Sequence, residues 1–191
     1  MSSEIEIEFK NLLTKEEFYR VINQFSIQEN DFIEQENHYF DTQVFSLKLI
    51  GCALRIRKKK DFYELTLKQP AKVGLLETNE RIDIEQVDQM ISHGKVPEGE
   101  VKNRLQQLDI PLTDLVYFGT LTTKRAEVNY LNGLLVFDHS FYLKKEDFEI
   151  EYEVKDRDLG EKKFISLMNQ LNIPIRQTDN KIVRFYKEKA K

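Results

Sequence analysis

The sequence is poor in the residues that cross-link or interrupt a chain. A single cysteine, Cys52, stands among 191 residues, which excludes an intramolecular disulfide and suits a reducing cytoplasm. Four prolines and seven glycines are scattered along the chain, with no repeat, low-complexity tract or Gly/Ser linker, so no domain boundary suggests itself. The sequence has no basic-then-apolar leader and no apolar run long enough for a bilayer, and a membrane partner is not expected. Excess positive charge is lacking too. Lys and Arg total 29 against 33 Asp and Glu, a net charge of −4, so the whole-molecule field offers nothing to nucleic acid and any basic site must be local. With 40% hydrophobic residues, the length predicts one domain over residues 1–191.

What is present is charge in alternation. In EIEIEFK, Glu4, Glu6 and Glu8 alternate with Ile5, Ile7 and Phe9 before Lys10. A period of two is the strand signature, because successive side chains point to opposite faces. The ordinary explanation is a solvated outer face, yet like charges directly across a sheet repel and such faces normally mix signs. The pattern recurs. Arg55 and Arg57 oppose Leu54 and Ile56; Glu64, Thr66 and Lys68 oppose Leu65 and Leu67; Glu77, Asn79 and Arg81 oppose Ile82 and Ile84; Glu149, Glu151 and Glu153 oppose Ile150 and Tyr152. Further strands are predicted near 31–40, 115–130, 134–139 and 147–155, with Asn132-Gly133 as a hairpin turn. Helices fit 14–25, where Thr14 and Glu17 form a capping box, and 85–93, 99–108, 158–171 (capped by Asp158 and Glu161) and 178–189.

A closed barrel whose outer, apolar face is covered by helices accounts for these strands better than an open sheet, because it turns the charged faces into a polar interior. Such an interior must be hydrated or hold an ionic ligand. Clustered carboxylates call for a hard divalent cation, Mg²⁺ or Mn²⁺, and neighbouring Arg and Lys call for phosphate. Other charges have plainer readings. Lys58, Lys59 and Lys60 read as a solvated turn. His38, His93 and His139 show no zinc-ligand spacing, and Cys52 reads as a small core residue. Tyr39 and Phe40, as strand aromatics, read as core.

Glu6-x-Glu8-x-Lys10 resembles the ExExK signature of the CYTH superfamily, the triphosphate tunnel metalloenzymes. The resemblance continues in the family's order through Tyr39–Thr42 (YFDT), Leu54–Arg57 (LRIR), Glu64–Lys68 (ELTLK), the TKR ending at Arg125, Asp138, Glu149–Glu153 (EIEYE) and Asn180-Lys181. It implies an α+β fold, an eight-stranded antiparallel barrel forming a tunnel with helices outside. By position, Glu6, Glu8, Glu149 and Glu151 look like metal ligands, Asp138 like an accessory metal or water contact, and Glu6, Glu8, Asp138 and Glu151 like the catalytic set. Lys10, Arg55, Arg57, Lys68, Arg125 and Lys181 look like phosphate ligands, and Arg81 joins them by parity. The extra acids Glu4 and Glu153 leave the metal register open by one repeat. The activity implied is metal-dependent hydrolysis of inorganic triphosphate or a small organic triphosphate. An adenylate cyclase and a non-catalytic polyphosphate- or nucleotide-binding module are the alternatives, and the oligomeric state is left open.

Overall fold

The computed structural model describes every residue except Met1, Lys60 and Ala190. Lys60, part of the expected basic turn, therefore lies outside the described residues. In chain order the elements are β1 (Ser2–Leu13), α1 (Lys15–Gln24), β2 (Ile33–Thr42), α2 (Ser46–Leu49), β3 (Ala53–Lys58), β4 (Tyr63–Pro70), β5 (Leu75–Ile82), α3 (Ile84–His93), α4 (Glu100–Gln107), β6 (Leu115–Tyr130), β7 (Gly133–Tyr142), β8 (Lys145–Val154), α5 (Arg157–Gln170) and α6 (Lys181–Lys189). The strands form a closed antiparallel barrel in the order β1-β5-β4-β3-β2-β6-β7-β8, with the helices packed around it.

Two compact units divide the chain, one comprising the residues up to Ile5 and Glu36–Leu121, the other Glu6–Gln35 and Thr122–Lys191. Each has its own apolar core. In the first, Phe40, Leu54, Ile56, Leu65 and Leu67 pack with Val87, Met90, Val101 and Leu105 of α3 and α4. In the second, Phe137, Ile150 and Tyr152 pack with Phe18 and Val21 of α1 and with Phe164, Leu167 and Met168 of α5. These strand residues share one parity, so the charged residues of opposite parity lie on the inner face of the ring.

Local chemistry sets several boundaries. Thr14 accepts a bond from Glu17 N at 3.2 Å while Glu17 accepts one from Thr14 N at 2.8 Å, closing the capping box expected for α1. α5 begins one residue earlier than predicted because Asp156, rather than Asp158, caps it, accepting from Leu159 N at 2.9 Å. α6 begins at Lys181, not 178. The β6–β7 turn also differs from expectation. Tyr130 pairs with Gly133, so Leu131 and Asn132 are the central residues, with φ of 43° and 65°. Both lie in the left-handed region that a type I′ hairpin demands. Gly133 is needed for another reason: a Cβ there would meet Tyr152 Cε2 at 2.5 Å and Glu153 O at 2.7 Å.

α2 and the carboxylate that starts it were not anticipated. Asp41, fully buried, accepts bonds from Leu47 N at 2.9 Å and Lys48 N at 3.1 Å, and this role accounts for the acid in YFDT. Phe40 is core as expected, whereas Tyr39 is buried on the inner face, paired with Arg55. Cys52 is buried, and burial pushes its thiol up to about 11, which keeps it protonated at neutral pH.

Candidate active site

In the second unit the inner faces of β1, β6, β7 and β8 bring acids and bases together. Pairing of β1 with β8 sets Glu8 opposite Glu153 and Lys10 opposite Glu151, and β7 sets Asp138 opposite Glu149 and Arg125. Carboxylate oxygens of Glu6, Glu8 and Glu153 lie within 4.8 Å of one another. Oxygen donors at that spacing suit a hard divalent ion. Burial lifts Glu153 to about 7; Arg125 opposes the shift, and Glu151, Glu6 and Glu8 reinforce it. Lys10 bonds Glu8 and, at 2.8 Å, Asn180 Oδ1.

Glu149 and Glu151, the other two acids of EIEYE, are engaged differently. Lys181 Nζ lies 2.8 Å from Asp138, 2.7 Å from Glu149 and 2.6 Å from Glu151. Arg125 holds Asp138 through Nε at 2.8 Å and Nη2 at 2.6 Å, and Glu151 through Nη2 at 2.9 Å. Arg184 Nη1 is 2.6 Å from Glu149 Oε2. Burial opposes every one of these charges, but the contacts decide the outcome for most of them. Lys181 and Arg125 hold Glu151 well below the usual carboxylate range, and Arg125 with Lys181 lowers Asp138. Burial and the Glu151 charge instead push Glu149 up.

The segment before α6 is what delivers Lys181. Buried Asn11, on the outer face of β1, donates to Pro174 O at 3.1 Å and accepts from Arg176 N at 2.6 Å, while Leu12 N donates to Thr178 Oγ1 at 2.9 Å. Arg176 adds a two-pronged pair to Glu17, both bonds at 2.8 Å. Asn11 had no signal in the sequence beyond being a polar residue at an apolar position of β1, and Arg184 none beyond a basic residue on an amphipathic helix.

In the first unit the inner face is basic and amide-rich. Arg55 pairs in register with Thr66, Arg57 with Glu64, and Lys68 with Glu77. Arg57 Nε donates to Asn37 Oδ1 at 2.8 Å, Lys68 meets Glu77, and Thr66 donates to Asn79 at 2.7 Å. Arg55 Nε is buried with no hydrogen-bond partner, an unusual state for a guanidinium and one that an anionic ligand would satisfy. Arg81 sits over the Phe62 ring, 4.6 Å from its centroid, and lines a surface cavity of about 610 Å³ with Lys58, Lys59 and Tyr63. Lys59 pairs with Glu64 at 3.0 Å, and Lys58 with Glu36 at 3.9 Å.

A family model described as the CYTH domain matches residues 4–186, and the chain belongs to that family. It is 51% identical over 191 residues to the Bacillus subtilis (strain 168) protein named "Putative triphosphatase YjbK", covering 100% of this chain and 99% of the relative. A Bacillus halodurans structure described as a putative adenylate cyclase shares 44% identity with a TM-score of 0.93, covering 97% of this chain and 100% of that one. A Hippeastrum structure, described as a putative adenylyl cyclase with a dominant triphosphatase activity, has a TM-score of 0.78 at 20% identity over 96% of each chain, and shows the fold.

Proposed function

We propose that the protein is a metal-dependent hydrolase of inorganic triphosphate or a small organic triphosphate. The observation that carries this is the three-carboxylate group of Glu6, Glu8 and Glu153 in the second unit; within the first unit, an arginine face whose Arg55 Nε has no hydrogen-bond partner suits phosphate. Membership of the CYTH family and the name of the Bacillus subtilis relative agree with it. Glu6 and Glu8 are the residues assigned to metal from the sequence, with Glu153 as their third partner in place of Glu149 and Glu151. Mg²⁺ or Mn²⁺ fits these oxygen donors, and bound there it would neutralise charge on a phosphoryl oxygen and polarise it.

The chain's own groups do the rest. Arg55 and Arg57, two residues apart on β3, present forked donors on one face and grip adjacent phosphates, with Lys68 as a further point charge. Lys10 holds Glu8 in place through its ammonium. Water attacks the terminal phosphorus, the bridging P–O bond breaks, and pyrophosphate or the organic diphosphate leaves with the electron pair. The chain is proposed to work as one domain in the cytoplasm, on a small-molecule substrate.

The alternative reading, an adenylate cyclase, draws on the description of the Bacillus halodurans relative. One assay separates the two. Purified protein is given tripolyphosphate, thiamine triphosphate and ATP with Mg²⁺ or Mn²⁺, and both orthophosphate and cyclic AMP are measured. Release of orthophosphate, abolished by chelator and reduced at least about a hundredfold in the Glu6→Ala/Glu8→Ala variant, is the expected result. Cyclic AMP and pyrophosphate from ATP would establish the cyclase. Chelator-insensitive or absent turnover would remove both enzymatic readings.

A further inference from the structure

Arg81 joins the phosphate ligands by parity alone, and its surroundings in the first unit are of another kind. Its guanidinium carbon lies 4.6 Å from the centroid of the Phe62 ring. Among the described residues it makes no ion pair: Glu64, which faces it in register, is bound to Lys59 at 3.0 Å instead. The cavity that Arg81 lines, about 610 Å³, is of the size that takes a small organic group. Its charges offer no excess attraction to a phosphate chain. Lys58, Lys59 and Arg81 line it together with Asp61 and Asp83, and Glu36, 3.9 Å from Lys58, and Glu64 offset the two lysines further. The other walls include Phe62, Tyr63 and Ile84, and Ile84 is 56% exposed at the first position of α3. An aromatic ring, a guanidinium without an acid and a bare isoleucine thus stand around one recess.

We infer that this cavity is the subsite for the uncharged, heteroaromatic end of an organic triphosphate, which rests on the proposed function in that the phosphates of the same ligand lie on the Arg55/Arg57 face. The strand register puts the two within reach of one molecule. Arg57 pairs with Glu64 and Glu64 with Arg81, so Arg81 stands two strands across from Arg57, roughly 10 Å at the usual strand spacing. A guanidinium laid on one aromatic ring presents its other face to a second ring and its free N–H edges to ring nitrogen or carbonyl acceptors. A planar, uncharged ring also covers Ile84 without the repulsion that Asp61 and Asp83 hold for phosphate. Inorganic triphosphate has no such group and makes no use of the recess. The cavity therefore favours organic over inorganic substrate.

Two measurements separate this subsite from the hydrolase reading. Saturation-transfer NMR in chelator records which protons of ATP touch the protein, for wild type, Phe62→Ala and, because Phe62 is half-buried, Ile84→Asp at an exposed position. In wild type the adenine protons should be saturated at least as strongly as the ribose protons. Both variants should lose the adenine signal, and tripolyphosphate should displace the whole ligand. Adenine protons without saturation in wild type, an unchanged pattern in the folded variants, or an adenine signal that survives excess tripolyphosphate would each overturn the inference. Steady-state kinetics with tripolyphosphate, thiamine triphosphate and ATP in Mg²⁺ or Mn²⁺ give the second readout. In both variants kcat/KM for organic relative to inorganic triphosphate should fall about tenfold, the scale of one lost stacking contact. A fall shared equally by all three substrates would overturn the assignment, since these side chains would then serve the fold or the phosphates and not the organic group. Absence of turnover with every substrate would remove the hydrolase reading, and the NMR comparison would decide the subsite on its own.

Discussion

Glu153 shows how a single buried carboxyl couples the site to stability. Its pKa of about 7 comes first from burial, with Glu151, Glu6 and Glu8 adding to it against Arg125, whereas an unfolded glutamate titrates near 4.3. The folded state therefore keeps a proton that the unfolded chain gives up. The stability this contributes is complete below about pH 4.3 and is lost as pH rises through about 7. Glu149, also pushed up, acts in the same direction. Glu151 and Asp138 are depressed, so their contributions hold across this window and fade only in acid. In chelator, urea denaturation should show wild-type stability falling between pH 5 and 8, and Glu153→Gln should fall less. The variant should match wild type at pH 5 and exceed it at pH 8 by about 1–3 kcal/mol, the upper figure following from about 1.4 kcal/mol per unit of pKa shift and the lower from the side chain's 31% exposure. Parallel pH curves for the two proteins would show that Glu153 ionises freely in the folded state.

At the scale of elements, the β6–β7 hairpin ties a turn to the acidic strand beside it. Leu131 holds a positive φ although it is not glycine, and its carbonyl accepts from Lys163 Nζ at 2.6 Å and Tyr152 Oη at 3.1 Å. Gly133 lets that ring and the Glu153 carbonyl close against β7. Gly133→Ala should cost about 1–3 kcal/mol in urea denaturation, because the Glu153 carbonyl belongs to the sheet backbone and cannot swing away. A loss under about 0.5 kcal/mol would mean that β8 yields easily at this point. The hairpin also shows what local sequence can convey. Asn132-Gly133 announced a turn, but which pair would be central depended on the approach of Tyr152, a residue of another strand. The metal register has the same limit. EIEIE and EIEYE both repeat every two residues, and a shift by two keeps every acid on its face. The strand pairing, with Glu8 opposite Glu153, is what brings Glu153 beside Glu6 and Glu8. The Thr14–Glu17 capping box and the alternation were legible because they are local, whereas the cap of α5 was misplaced by two residues, from Asp156 to Asp158. The reach of Lys181 and Arg184 from α6 to β7 and β8 was not, since it depends on how the chain is pinned at Asn11.

For the whole molecule, the presence of two cores carries a consequence for folding. The first unit holds β2, β3, β4 and β5 with β6 as far as Leu121, and the second holds β7 and β8 with β1 from Glu6 and β6 from Thr122. One strand face in each unit is lined by charges that need partners or solvent. Each core is substantial, with Leu54, Leu65 and Leu67 in one and Phe137, Ile150 and Met168 in the other fully buried, so burial by itself would permit the units to unfold separately. Hydrogen exchange reads each core by itself: the amides of Leu65 and Ile150 are expected to exchange only through an opening that exposes the whole of their own core, with a steep dependence on denaturant. Exchange at either amide that is nearly independent of denaturant would show that its core opens by local fluctuation instead.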